Sequence, residues 1–138
     1  MRLRMRRVGG VLPEVALPTG VALRTFVPGD RDDVCRLLET GTFGAWPAER
    51  FDALFTHAVD HLEPDSVHIA VAAGRVIGHC CLMVRDEPEG RVGKLGWVAT
   101  HPNWRGRGIG RAVCVEALRD AERRGLGTVV LDTENFRG

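Results

Sequence analysis

The chain has 138 residues, of which 44% are hydrophobic and 27% are charged, and its formal net charge is +1. This length suits one domain around a single buried core, and this composition is typical of a folded chain rather than a disordered one. The net charge argues against nucleic-acid binding by bulk electrostatics, and no apolar run reaches the length of a membrane span, so we expect neither nucleic acid nor a membrane as a partner.

The predicted elements follow in chain order from hydrophobic period and turn residues. Residues 1–20 begin with a basic run and contain no apolar leader segment, so we expect a flexible N-terminal segment before a domain at residues 21–138. Residues 21–26 alternate as a strand, and a helix with Val34, Leu37 and Leu38 follows Asp30. A second helix is predicted from apolar residues at helical spacing, namely Phe51, Leu54, Phe55, Ala58 and Leu62.

The second half of the chain is richer in predicted strands. Strands are expected at residues 67–72, 76–84 and 92–100, with turns at residues 73–75 and 88–90. A helix with a stripe of small and branched apolar residues ends near Gly125, and residues 128–132 form a short apolar strand of the parallel type. The order β-α-α-β-β-β-α-β predicts an α/β fold, a single-domain mixed sheet flanked by helices.

The cysteines indicate a reducing environment. Cys35, Cys80, Cys81 and Cys114 form no C-x-x-C pair, so neither a zinc site nor a disulfide framework is expected. We expect reduced, mostly buried thiols in a cytoplasmic protein. His57 and His61 lie four residues apart on the second predicted helix, but no third ligand is evident, and we expect no metal site.

A glycine-rich loop, Arg105-Gly106-Arg107-Gly108-Ile109-Gly110, connects the strand that ends near Thr100 to the following helix. Alternate glycines let backbone amides approach a ligand without interference from Cβ atoms. The helix start presents unpaired N–H groups and the positive end of the helix dipole. No Asp or Glu occurs from Gly90 to Val115, where the charged residues are Arg91, Lys94, Arg105, Arg107 and Arg111. The pattern predicts an anion site suited to phosphate.

With His101-Pro102-Asn103-Trp104 leading into it, this loop resembles the acyl-CoA-binding motif of the GCN5-related N-acetyltransferase (GNAT) family, Arg/Gln-x-x-Gly-x-Gly/Ala after a strand. Arg105, Gly108 and Gly110 occupy the defining positions, and Thr100 stands where the family usually has Val. The element order also matches, over roughly residues 21–135. The resemblance implies a fold of the acyl-CoA N-acyltransferase type and transfer of acetyl from acetyl-CoA to a primary amine, by direct attack on the thioester.

The resemblance also implies a set of residues that bind acetyl-CoA. The strand segment Val98, Ala99 and Thr100 would hold the pantetheine arm, and an N–H near Val98 would polarise the thioester carbonyl. Asn135 would contact the cofactor arm beside the last strand. The pyrophosphate would lie on the backbone amides of Arg105, Gly106, Arg107, Gly108, Ile109, Gly110 and Arg111.

Catalytic residues are less well defined. Attack requires a neutral amine, and the residues that could accept its proton are His79, His101 and Glu134. The chain contains no tyrosine, although the family often uses one as general acid in a segment that follows the position of Asn135. We therefore expect a truncated product or a chain completed by another. The apolar strand at residues 128–132 would then lack a neighbour, which predicts a homo-oligomer closed through that edge or a marginally stable fragment.

Three alternatives remain open. The loop lacks the Gly-Lys-Ser/Thr of a Walker loop and has the wrong glycine spacing for a dinucleotide fingerprint, yet Asp132 mimics the ribose-binding acid of such sites. The loop is also compatible with a surface turn that carries solvated arginines. Finally, the absent tyrosine is compatible with a non-catalytic acyl-CoA-binding or interaction module.

Overall fold

A six-stranded mixed sheet forms the centre of the molecule in the computed structural model, which describes residues 2–6, 12–41 and 43–132. Its strand order is β1-β6-β5-β4-β3-β2. The strands are β1 (Arg2–Arg6), β2 (Val21–Thr25), β3 (Val67–Ala72), β4 (Arg75–Glu87), β5 (Gly90–Thr100) and β6 (Thr128–Asp132). Only β5 and β6 pair in parallel, and all the other neighbours are antiparallel.

Two short turns build the antiparallel half of the sheet. Ala73 and Gly74 connect β3 to β4 with φ values of 49° and 74°, the left-handed conformation that matches the twist of a tight hairpin. The β4–β5 hairpin is longer than predicted, because its ladder extends to a Glu87–Gly90 pair beyond the predicted strand ends. The parallel β5–β6 pair needs a crossover, which the helix between them supplies.

Helices cover both faces of the sheet. On one face lie α1 (Arg31–Glu39) and α2 (Ala48–Ala53), and on the other lies α3 (Ile109–Arg123). The first face is filled by a core that includes Leu38, Trp46 and Phe51, and the second by a core that includes Ile109 and Val113. This arrangement confirms the prediction of a mixed sheet flanked by helices. No helix among the described residues is long and apolar enough to cross a membrane.

The second helix is shorter than predicted. α2 ends at Ala53, a 3-10 turn follows at Leu54–Thr56, and His57 has an extended backbone. The next residues are held by tertiary contacts instead, since Asp60 accepts hydrogen bonds from Arg85 and Lys94. His57 and His61 therefore do not share a helix face, because His61 pairs with Val84 of β4 through a backbone bridge.

The N-terminal residues differ most from expectation. Residues 2–6, expected within a flexible segment, form β1 and pair antiparallel with β6 from Arg2–Asp132 to Arg6–Thr128. Their sequence alternates arginine with leucine or methionine, a period-2 pattern compatible with a strand. The β6 edge that was expected to be unpaired therefore has a partner within this chain, which removes the reason for expecting closure through a second copy.

A buried polar network fixes α3 against β3. His68 on β3 contacts Asp120 on α3, with Nε2 and Oδ2 2.8 Å apart, and both residues are at most 5% exposed. Arg124 donates from Nε to the same carboxylate at 2.7 Å. These hydrogen bonds hold the pKa of Asp120 at about 2 against the opposing effect of burial, so the carboxylate stays ionised near neutral pH. The network sets where α3 lies on the sheet.

Candidate functional site

The described ladder between the parallel strands β5 and β6 is shorter than β5. Its register runs from Gly93–Val129 to Leu95–Leu131, whereas β5 continues to Thr100. Within residues 128–132, no residue of β6 pairs with β5 beyond Leu95. Strand backbone groups without a ladder partner can hydrogen-bond an extended ligand.

A β-bulge interrupts β5 between Gly96 and Ala99, just beyond the described β5–β6 ladder. His79 of β4 pairs with Ala99 and Cys81 pairs with Gly96, so Trp97 and Val98 together oppose one residue of β4. Trp97 has φ 54°, a left-handed conformation that is rare for a bulky side chain. The bulge re-aims the peptide groups at the point where the resemblance implies the thioester.

His79 lies beneath this bulge. Its side chain is 0% exposed, and its Nδ1 is 2.8 Å from the carbonyl oxygen of Trp97. Burial lowers the pKa of His79 to about 4, so the ring is neutral near neutral pH. The ring is enclosed, so His79 would act as a base only after it became accessible to an acceptor amine.

The glycine loop presents an open surface at the N-terminus of α3. Gly106 and Gly108 have φ values of 77° and 81°, and a Cβ atom on either would meet no atom within 4 Å. The first helical hydrogen bond is donated by Ala112 N–H to Gly108 at 3.0 Å, so the amides of Ile109 and Gly110 precede it. Gly110 approaches Thr100 closely, since its Cβ would lie 3.2 Å from Oγ1. The helix start is thereby brought against the end of β5.

The predicted cofactor residues that the structure describes are brought together by this geometry. Val98, Ala99 and Thr100 end β5 as buried residues, while the arginines 105, 107 and 111 are exposed around the loop. Arg107 stacks over the Trp104 ring at 4.9 Å. Within residues 12–41 and 43–131 no carboxylate lies within ion-pair distance of these three arginines. Glu134 and Asn135 lie outside the described residues.

Residues 28–65 carry nine acidic side chains, and several of them form ion pairs with arginines. Five aspartates between residues 28 and 65 lie within 3.2 Å of an arginine nitrogen: Asp30 with Arg24, Asp33 with Arg75, Asp52 with Arg31, Asp60 with Arg85 and Asp65 with Arg124. The most buried carboxylate of this set, Asp60, keeps a lowered pKa because Arg85 and Lys94 offset its desolvation. These aspartates therefore link elements of the fold, whereas Arg105, Arg107 and Arg111 form no ion pair with a carboxylate of residues 12–41 or 43–131.

An aromatic layer covers the bulge from the α1–α2 side. The ring of Trp97 meets Trp46 and Phe43 edge to face, with centroids 4.9 and 5.2 Å away. Arg50 stacks on Trp46 at 4.0 Å and donates to the carbonyls of Phe43 and Ala45 at 2.9 and 2.7 Å. The loop between α1 and α2 is thus fixed over the bulge. Neither Trp97 nor Arg50 was predicted as a site residue, although Gly96 inside a strand is a signal for a bulge.

His101 occupies the turn after β5. It is half-buried, its Nδ1 accepts a hydrogen bond from Asn103 N–H at 3.1 Å, and it lines a cleft of about 400 Å³ with Trp104, Arg36 and Arg75. Of the predicted proton-transfer residues that the structure describes, it is the one with access to a cleft. No group of three or more potential metal ligands occurs among the described residues.

Comparison with known proteins agrees with this geometry. The model of the acetyltransferase (GNAT) family matches residues 31–137. Mycothiol acetyltransferase of Pseudarthrobacter chlorophenolicus is 31% identical over 140 residues, which cover 96% of this chain and 43% of the relative. That of Thermomonospora curvata is 35% identical over 138 residues, covering 94% and 44%. The chain therefore spans less than half the length of these curated relatives.

A solved structure of a GCN5-related N-acetyltransferase from Sphaerobacter thermophilus superposes with a TM-score of 0.75 at 27% identity, over 94% of this chain and 40% of the other. The match to the family model thus covers the elements from α1 to β6, including β5 with its bulge and the glycine loop. This chain belongs to the GNAT family of acetyltransferases.

Proposed function

We propose that this chain transfers an acetyl group from acetyl-CoA to a primary amine, by direct attack of the amine on the thioester. The observation that carries the proposal is the continuous path from the end of β5 through the glycine loop to the start of α3, where Gly110 lies close to Thr100. A pantetheine arm has amide groups that pair with a strand edge, and a pyrophosphate suits helix-terminal amides.

The residues present fit acetyl-CoA in shape and in charge. The open space above Gly106 and Gly108 admits phosphate oxygens close to the backbone. Arg105, Arg107 and Arg111 surround that space with exposed positive charge. An anion there gains from both the helix terminus and the arginines, and each contribution weakens as salt rises. Asn135 remains a proposed contact to the cofactor arm.

The reaction needs a polarised thioester and a neutral amine. We assign the polarising donor to the N–H of Val98, because this residue belongs to the bulge of β5 that follows the described β5–β6 ladder. Proton removal is assigned to His101 or Glu134. His101 must release the N–H of Asn103 before its Nδ1 can accept a proton, so its use as a base is coupled to a change in the turn at Pro102–Trp104.

The acceptor is proposed from the relatives. Those with 31% and 35% identity carry the name mycothiol acetyltransferase, so the deacetylated form of mycothiol is the first acceptor to test. Asp30, Asp33 and Asp60 are engaged by arginines, which reduces the attraction that they exert on a cationic amine. Acceptor recognition is therefore expected to depend on shape and hydrogen bonding more than on long-range attraction.

The test is release of free CoA thiol from acetyl-CoA with a panel of primary amines, together with mass spectrometry of the product. Amine-dependent thiol release and an acetylated amine support the proposal. Tight CoA binding without turnover of any acceptor would instead favour the non-catalytic acyl-CoA-binding module. Competition by a dinucleotide but not by CoA would favour nucleotide binding and contradict the assignment of the loop.

A further inference from the structure

Two buried histidines lie on neighbouring strands and have different partners. His68 on β3 contacts the carboxylate of Asp120, whereas His79 on β4 contacts a single backbone carbonyl, that of Trp97. We propose that His79 is a positioning residue that holds the Trp97–Val98 peptide plane and thereby aims the N–H of Val98 at the thioester oxygen. This inference rests on the proposed acetyl transfer and adds a role for His79 that is distinct from a base.

The hydrogen bond fixes the tautomer of the ring. A carbonyl oxygen only accepts, so Nδ1 of His79 carries the proton and donates it over 2.8 Å to Trp97. Nε2 is left as the acceptor, and the thiol of Cys81, with Sγ 3.6 Å away, is the group that can donate to it. Burial keeps the ring uncharged, since it lowers the pKa of His79 to about 4, and the nearby His68 acts in the same direction.

Peptide geometry transmits this contact to Val98. In a trans peptide the carbonyl of one residue and the N–H of the next lie in one plane and point in opposite directions. The carbonyl of Trp97 points to the ring of His79, so the N–H of Val98 points away from that ring. Val98 lies beyond Leu95, where the described β5–β6 ladder ends.

The bulge needs such support because its conformation is unfavourable. Trp97 has φ 54°, and a bulky residue keeps a left-handed backbone only where its surroundings impose it. The ring of Trp97 is held by Trp46 and Phe43, but these contacts leave the carbonyl direction undetermined. His79 supplies the contact that determines it.

Two substitutions at residue 79 distinguish the effect of the hydrogen-bond donor from the effect of side-chain volume. His79→Asn keeps an N–H donor at the same number of bonds from the backbone, and His79→Leu fills space without a donor. Loss of one oxyanion donor lowers kcat by about a hundredfold to a thousandfold, so its misdirection in His79→Leu is expected to lower kcat by about tenfold to a hundredfold. The KM for acetyl-CoA should stay within about twofold, because the pyrophosphate loop is untouched.

Steady-state kinetics with acetyl-CoA and the best amine, together with 15N NMR of the His79 ring, form the test. We expect His79→Asn to retain kcat within about threefold of wild type, and wild-type His79 to show the Nδ1–H tautomer. His61→Asn is the control, because His61 is exposed and its backbone pairs with Val84 of β4, and this variant should leave kcat unchanged.

Three results would overturn the inference: a folded His79→Leu protein with wild-type kcat, a His79→Asn protein that binds CoA but is as slow as His79→Leu, or an Nε2–H tautomer in wild type. If His79→Leu does not fold, the Asn variant and the tautomer still decide. If wild type transfers no acetyl group, the proposed function fails first, and the tautomer then tests the hydrogen bond by itself.

Discussion

Gly78 on β4 offers a sharp test of how α3 is placed on the sheet. A Cβ atom at this position would lie 2.5 Å from Cγ2 of Ile109, the first residue of α3, and 3.2 Å from Cβ of Ala70. Ordinary van der Waals contact begins near 3.4 Å, so Gly78→Ala requires a displacement of about 1 Å. Ile109 cannot rotate away freely, because it is 1% exposed and lies in a close-packed core. The start of the helix has to move.

The expected cost follows from this overlap. Overpacking a close-packed core costs about 1–3 kcal/mol, and the reduced entropy of the unfolded chain offsets about 0.4–1 kcal/mol of it. We therefore expect Gly78→Ala to lower the free energy of unfolding by about 1–2 kcal/mol, which corresponds to a melting temperature lower by about 4–8 °C. The CoA affinity should also fall, since the amides of Ile109 and Gly110 move with the helix.

Urea unfolding, thermal melts and CoA titration together measure both effects. Gly127→Ala is the matched control, because its Cβ would meet no atom within 4 Å and its φ is not in the left-handed region. This control should leave stability and CoA affinity near their wild-type values. If Gly78→Ala unfolds like wild type and binds CoA equally well, the close contact between β4 and α3 is not what positions the loop.

Three further predictions concern the loop, the buried network and pH. Gly108→Val should weaken CoA binding by at least about tenfold in calorimetry. The control Gly20→Val carries the same left-handed strain far from the loop and should bind CoA like wild type. Equal affinity in both variants would refute the loop as the phosphate site. Asp120→Ala should lower the free energy of unfolding by about 3 kcal/mol in urea titrations, because it removes the partner of two buried or partly buried side chains, and a change below about 0.5 kcal/mol would contradict that. Burial holds the pKa of His79 at about 4, below its usual 6.5, so the unfolded chain binds this proton first and stability falls as pH drops from about 6.5 to about 4. Between these pH values, the free energy of unfolding of wild type should fall by about 3 kcal/mol more than that of His79→Asn. If the two proteins lose stability in parallel as the pH drops, the lowered pKa of His79 is refuted.

Local patterns predicted the strands and helices that have a clear hydrophobic period. The alternation and turn residues of β3, β4 and β5 placed these strands to within a few residues, and the sequence order from β2 to β6 is confirmed. The glycine loop was predictable for the same reason. Its chemistry depends on backbone conformation and on the helix that follows, both of which are encoded locally.

The parts that were missed depend on contacts between distant residues. The apolar spacing from Phe51 to Leu62 is helical, but the interactions of Asp60 with Arg85 and Lys94 hold its second half against β4 and β5. The bulge at Trp97 is a property of the pairing between two strands, so the pattern of one strand did not predict it. The burial of His79 likewise depends on both β5 and the helices above it, which composition does not reveal.

Amide hydrogen exchange with and without CoA tests the central claim most directly, because it reports the bound segments without requiring an acceptor. We predict that CoA slows exchange at the end of β5 from Gly96 to Thr100 and at residues 105–111, while β2, on the far edge of the sheet, is unaffected. Saturating CoA that protects neither segment, or that protects a different surface, would contradict the assignment of this site.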